Sequence, residues 1–150
     1  MKRAAPTQDE ITQIVEVTDD LDKEFREQGA LYAWLGGNYA EALDRTRRLK
    51  NELAMLRAKL ADKGRQEFKH ERATKDLIEG WVIRRPEYQA LQAKLFDAQL
   101  VEDTLSEGLR ALEHKKSALE NLAANLRREW EATTRDPVVR GASSFSGEKR

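Results

Sequence analysis

The stretch that decides the fold is residues 86–130, PEYQALQAKLFDAQLVEDTLSEGLRALEHKKSALENLAANLRREW. Positions three or four residues apart form a ladder from Tyr88 to Trp130, and eleven of its thirteen positions are apolar. This period predicts a single amphipathic helix, about 70 Å long at a rise of 1.5 Å per residue. A helix of that length has to bury its apolar side against another long helix, so a partner is expected elsewhere in the chain.

The partner is predicted upstream, in a helix that begins at Asp19 and ends near Gly64. Its ladder of apolar residues has one gap, at Thr46. We expect the glycines at 36–37 to interrupt this helix and Asn38 to cap its continuation. Gly64 suits a left-handed C-cap because it has no Cβ. The apolar positions of the ladder are Leu35, Tyr39, Ala42, Leu49, Leu53, Leu56 and Leu60.

The two ladders predict an all-α fold, a long antiparallel helical hairpin similar to a coiled coil. Residues 64–73 are polar and charged without a clear period, which is typical of a loop. Residues 74–84 are predicted to form a short connecting helix. Pro86 pushes Arg85 out of helical geometry and suits the first position of the next helix, so the second long helix should begin there.

Both ends of the chain lack the pattern of the central part. Residues 1–18 are predicted to be a flexible N-terminal arm, although Thr7 and Glu10 also fit a capping box that would let neighbouring apolar residues dock. Residues 133–150 contain Pro, Gly, Ser and mixed charge, which predicts a disordered tail. Residues 19–132 then form the helical domain.

The composition argues against a membrane protein and against an enzyme. No run of eighteen apolar residues is present and the acidic N-terminal third has no apolar signal segment, so we expect a cytoplasmic protein. The chain has no cysteine, and its two histidines lie on different predicted elements. No catalytic residue, metal or cofactor is predicted, because long amphipathic helices do not readily form a pocket with converging polar groups.

The formal net charge of zero conceals a strong separation of charge along the chain. Residues 1–44 have 4 basic and 10 acidic side chains, whereas residues 45–75 have 11 basic and 4 acidic ones. Such a basic segment is most often a solvated helix face. Repeated around a homo-oligomer, however, it would form a continuous positive track that attracts phosphates.

Two short motifs, one before the basic segment and one within it, resemble those of a known protein family. LYAWL at residues 31–35, followed by LRAKL at 56–60, resembles the UvsY-like recombination mediators of tailed phages, in which a similar aromatic cluster precedes a Leu-Lys-Ala-Arg-Leu element. Residues 74–95, TKDLIEGWVIRRPEYQALQAKL, are also similar, so the resemblance covers roughly residues 19–132. The aromatic residues that often follow the basic element in the family are replaced by Ala, Asp and Lys at 61–63, so base stacking is not expected there.

The resemblance implies a ring-like homo-oligomer that binds single-stranded DNA through its backbone. Such a protein helps a recombinase or annealing protein to load in place of single-strand-binding protein, in the host cytoplasm if a phage encodes it. Arg57 and Lys59 are the implied phosphate contacts. Weaker contacts are predicted at Arg48, Lys50, Lys63 and Arg65. The side chains expected to hold the hairpin and the oligomer together are Leu105, Leu109, Leu112 and Leu119.

Two other classes of function stay open. The chain fits a coiled-coil scaffold or assembly adaptor whose basic segment docks on an acidic partner or on its own acidic N-terminal region. An enzyme with a site between subunits is a third class, for which no residue pattern argues. Of the tryptophans, Trp34 and Trp130 are expected to pack, whereas Trp81 fits either packing or stacking on a base.

Overall fold

The computed structural model describes residues 6–69 and 73–135, and within them it contains four α-helices and no strand. The all-α prediction is therefore confirmed for this part of the chain. None of these helices has both the length and the hydrophobicity needed to cross a membrane. The helices are α1 (Gln8–Val15), α2 (Leu21–Glu67), α3 (Lys75–Ile83) and α4 (Pro86–Arg135).

The long helices α2 and α4 pack side by side along the predicted ladders. Gln28 of α2 donates a hydrogen bond to the carbonyl oxygen of Leu112 at 2.8 Å. Further along α2, Leu35 packs against Gly108, where an added Cβ would lie 3.1 Å from the leucine side chain. The contact partners on α4 thus have falling residue numbers as the numbers on α2 rise.

The core contains two apolar clusters at different positions along the length of the α2–α4 pair. One contains Leu35, Ala42, Leu105 and Leu112, joined by Ile11 of α1. The other lies near α3 and contains Leu60, Val82 and Tyr88. Thr46, the predicted gap in the α2 ladder, is buried in line with its apolar neighbours, and its hydroxyl has no hydrogen-bond partner.

Within the predicted arm at residues 1–18, Gln8–Val15 form α1, and here the alternative of a capping box with docked apolar residues describes the structure. The capping box between Thr7 and Glu10 is present, and Ile11 is buried in the first core cluster beside Gly108. Lys115 of α4 donates a hydrogen bond to the carbonyl oxygen of Ile14 at 2.7 Å. The apolar face of α1 and this polar contact dock the segment on α4.

The predicted break at the glycines of α2 is wrong, because the helix is continuous from Leu21 to Glu67. Asn38 does not cap a new helix; its side chain donates to the carbonyl oxygen of Trp34 at 2.8 Å. Two glycines inside a helix cost about 1 kcal/mol each relative to alanine, which the burial of Leu35 and Ala42 on either side offsets.

The boundaries near the turn agree with the prediction only in part. Gly64 is not a C-cap but a buried helical residue against α3, and α2 continues into the first residues of the predicted 64–73 loop. The short helix and the start of α4 at Pro86 are confirmed. At the other end α4 continues to Arg135, past the predicted boundary at 132, and the remainder of the predicted tail lies outside the described residues.

Candidate nucleic-acid interface

The six basic residues predicted to contact DNA all lie on α2 and are all exposed. Successive residues of an α-helix are about 100° apart, so Arg57 and Lys59 point about 200° apart and cannot share one phosphate. The same geometry divides the six residues into two groups. Lys50, Arg57 and Arg65 lie on one side of α2, and Arg48, Lys59 and Lys63 lie on the other.

The three arginines among these residues are ion-paired with carboxylates of their own chain. Their side chains are all more than half exposed. Exposed pairs of this kind contribute at most about 1 kcal/mol, so a phosphate competes with them readily. The pairs are Arg48 with Asp44 at 2.9 Å, Arg57 with Glu79 of α3, and Arg65 with Asp62 at 2.7 Å.

Helix α3 lies on the Arg57 side of α2 and forms a cleft with it. Its volume is about 340 Å³. It is lined by three cations, Arg57, Arg65 and Lys75, by the carboxylate of Glu79, which is paired with Arg57, and by apolar side chains that include Ala61 and Ile78. We call it the cation cleft. The charged lining, three cations against one carboxylate, has a net charge of +2, and a cleft with an excess of one sign of charge attracts ions of the opposite sign.

A second cleft, of about 270 Å³, lies on the other side of α3, and we call it the aromatic cleft. The ring of Trp81 contacts Phe68 edge to face, with 6.5 Å between the centroids. The central guanidinium carbon of Arg85 lies 3.5 Å from the centroid of the Trp81 ring, within the range of a cation–π interaction. The lining residues are Phe68, Leu77, Trp81, Arg84 and Arg85.

The position of α3 depends on a close approach to α2. A Cβ added to Gly64 would lie 3.3 Å from the Trp81 ring, so glycine allows the indole to pack against the α2 backbone. Thr74 begins α3 by accepting a hydrogen bond from the Leu77 amide at 3.3 Å. Val82 of α3 is buried in the second core cluster with Leu60 of α2 and Tyr88 of α4, and this packing also holds α3 in place.

Three cations that α3 and its flanks bring to this end of the molecule are not among the predicted DNA contacts, although Lys75 belongs to the basic segment at residues 45–75. Lys75, Arg84 and Arg85 join those of α2, so that residues 57–69 and 73–85 have eight basic and four acidic side chains, a net charge of +4. The Arg-Arg pair directly before Pro86 was a visible signal. Whether these two arginines lie near the cations of α2 depends on how α3 packs against α2, which a local sequence pattern does not predict.

The leucines predicted to hold the hairpin and the oligomer together are mostly buried within the single chain. Leu105, Leu112 and Leu119 are almost fully buried within the single chain, and Leu109 packs partly buried on the same core. They hold α4 against the rest of the chain, whereas their role in holding an oligomer together stays a prediction. The exposed large apolar residues of α4 form two groups, Phe96, Leu100 and Val101 in its first half and Leu122, Leu126 and Trp130 near its end.

Trp130 contradicts its predicted packing role, since 67% of its surface is exposed, whereas Trp34 is half-buried. Leu122, Leu126 and Trp130 follow one another at intervals of four residues and therefore share one face of α4. We call them the apolar stripe. Contiguous exposed apolar surface of this kind is characteristic of a protein–protein contact.

A further cleft lies between α2 and α4 and has a volume of about 450 Å³. Its polar feature is a hydrogen bond from the Tyr32 hydroxyl to the carboxylate of Glu113 at 3.0 Å. This hydrogen bond, together with the negative charge of Glu113, raises the pKa of Tyr32 above its usual value. No group of three or more metal-ligating side chains occurs in residues 6–69 and 73–135.

Comparison of the chain with protein-family models, curated proteins and solved structures finds no match.

Proposed function

We propose that this protein binds single-stranded DNA through the end of the molecule that contains α3, and that it acts as a recombination mediator. The main support for this proposal is that α3 and the two residues after it add Lys75, Arg84 and Arg85 to the cations of α2. The net positive charge there attracts a phosphate backbone without regard to base sequence. The mediator role, in which the protein helps a recombinase or annealing protein replace single-strand-binding protein, is supported by the motifs at residues 31–35 and 56–60.

We further infer an antiparallel hairpin of α2 and α4 that assembles into a ring-like homo-oligomer. The opposite order of the contacts along α2 and α4 supports the hairpin. The apolar stripe of Leu122, Leu126 and Trp130 supports self-association. Assembly increases affinity because each chain contributes a few cations, and several copies on one strand bind together.

A scaffold or assembly adaptor is the second candidate function. It is favoured by the ion pairs of Arg48, Arg57 and Arg65, which partly neutralise the basic segment within the chain. An adaptor would use the apolar stripe to bind another protein and would not bind single strands.

The test is fluorescence anisotropy with a labelled oligonucleotide at several salt concentrations. The wild-type protein should bind single strands more weakly as salt rises, and Arg57→Ala plus Lys59→Ala should reduce the slope of log K against log salt by about 1.4 if both contact phosphates. Arg110→Ala is the matched control, because this exposed arginine is also ion-paired but lies far along α4. Absence of binding at low salt would exclude the proposed function and leave the adaptor.

A companion measurement is the mass by light scattering, with and without the oligonucleotide. The wild-type protein should be an oligomer, and replacing Leu126 and Trp130 with serine should lower the mass while helicity stays unchanged. Replacing the similarly exposed Leu100 with serine is the control. A wild-type monomer in both conditions contradicts the assembly part of the proposal.

A further inference from the structure

We propose that the aromatic cleft binds an unpaired nucleobase, which stacks on the guanidinium group of Arg85. The inference rests on the proposed function, because it assigns a base site next to the phosphate contacts of the same single strand. It locates base recognition outside the α2 segment at residues 61–63, where the sequence argues against stacking.

The stacking surface is already assembled in the protein. Trp81 is held by Gly64 and Phe68, and the guanidinium of Arg85 covers its ring at 3.5 Å. Arg85 is also held by Glu67, whose carboxylate lies 3.3 Å away. An arginine fixed at both its π contact and its ion pair loses little conformational freedom when a ligand binds.

The cleft is open to a ligand at this surface. About a third of the Arg85 side chain is exposed, and Leu77 is likewise exposed at the rim. A planar base on the outer side of the guanidinium would extend the existing stack, as arginine planes do in complexes with unpaired bases. Arg84 lines the same cleft and is placed to contact a neighbouring phosphate.

The size and charge of the cleft distinguish a nucleobase from a docked helix. Its volume of about 270 Å³ does not admit a helix about 10 Å across. The cation cleft lies on the opposite side of α3, a helix of nine residues, so one strand crossing α3 reaches both clefts. Phosphates then contact Arg57, Arg65 and Lys75, while a base enters the aromatic cleft.

The experiment compares a thymidine oligonucleotide with an abasic one of equal length, using anisotropy and the full-length chain. The wild-type protein should bind the thymidine strand about tenfold more tightly, because both strands have the same phosphates but only one offers a base. Arg85→Lys, which keeps the charge but removes the planar group, should abolish that difference without changing the salt slope. Arg110→Lys is the control and should leave the difference intact.

A spectroscopic measurement tests the site if Arg85→Lys alters folding. In a protein with Trp34→Phe and Trp130→Phe, Trp81 is the single tryptophan, and the thymidine strand should change its fluorescence while the abasic strand should not. Equal affinity of the wild-type protein for the two strands overturns the base site but leaves single-strand binding intact. Failure to bind either strand removes the proposed function itself.

Discussion

The side-chain nitrogen of Lys115 lies 2.6 Å from a carboxylate oxygen of Glu24, and both side chains are buried. The same nitrogen donates to the carbonyl oxygen of Ile14, and the second carboxylate oxygen of Glu24 accepts from the amide of Thr18 at 3.0 Å. One ion pair therefore joins α1, the segment after it, α2 and α4.

Replacing Lys115 with methionine should destabilise the protein by about 3 kcal/mol, because it leaves the Glu24 carboxylate buried without its partner. The free energy of unfolding in urea measures the effect, and hydrogen exchange should show lost protection in α1. Lys116→Met is the matched control, since Lys116 is exposed and 3.8 Å from Glu120. An equal loss of unfolding free energy in the two variants would mean that the buried ion pair stabilises the protein no more than the exposed one.

The same pair predicts a dependence of stability on pH. The hydrogen bond from Lys115 lowers the pKa of Glu24 below its ordinary value of 4.5, and it outweighs the opposing effect of burial. A carboxylate with a lowered folded-state pKa stabilises the fold above its unfolded pKa, and this contribution is lost as pH falls through the folded-state pKa.

The difference in thermal midpoint between the wild-type protein and Glu24→Gln should therefore be constant near neutral pH and shrink below about pH 4.5. Thermal unfolding followed by circular dichroism between pH 7 and pH 3 measures it. A difference that stays unchanged down to pH 3 contradicts the assignment.

Gly37 of α2 and Gly108 of α4 should respond to alanine with opposite signs. At Gly37 nothing lies within 4 Å of an added Cβ, so Gly37→Ala should stabilise the helix by about 0.5–1 kcal/mol. At Gly108 the Cβ would lie 3.0 Å from Ile11 and 3.1 Å from Leu35, so Gly108→Ala should destabilise the protein. Urea unfolding of both variants compares the two sites directly.

Glu79 competes with phosphate for Arg57, so Glu79→Gln should increase the affinity for single-stranded DNA. A gain of up to about fivefold is expected, since the exposed pair contributes at most about 1 kcal/mol. Glu107→Gln is the control, because it removes an equally exposed carboxylate partner from Arg110. A Glu79→Gln protein that binds no better than this control would exclude Arg57 from the contact surface.

The long helices and their apolar faces could be predicted because both are local properties of the chain. A period of three and four residues indicates a helix wherever it occurs, and the same ladders predicted most of the buried leucines. The error at 36–37 arose because local propensity favours a break at two glycines, whereas packing of α2 on α4 keeps the helix continuous.

The amino-acid sequence by itself determined the helical class, the start of α4 at Pro86 and the basic character of residues 45–75, since each depends on neighbouring residues alone. Only the tertiary structure decided which cations lie together and that α1 packs against α4. It also decided that Leu105, Leu112 and Leu119 are buried within one chain. The physical reason is that these features depend on contacts between residues up to about a hundred positions apart, as between Ile14 and Lys115. Such contacts form only when a whole helix face is buried, and no short stretch of sequence encodes them.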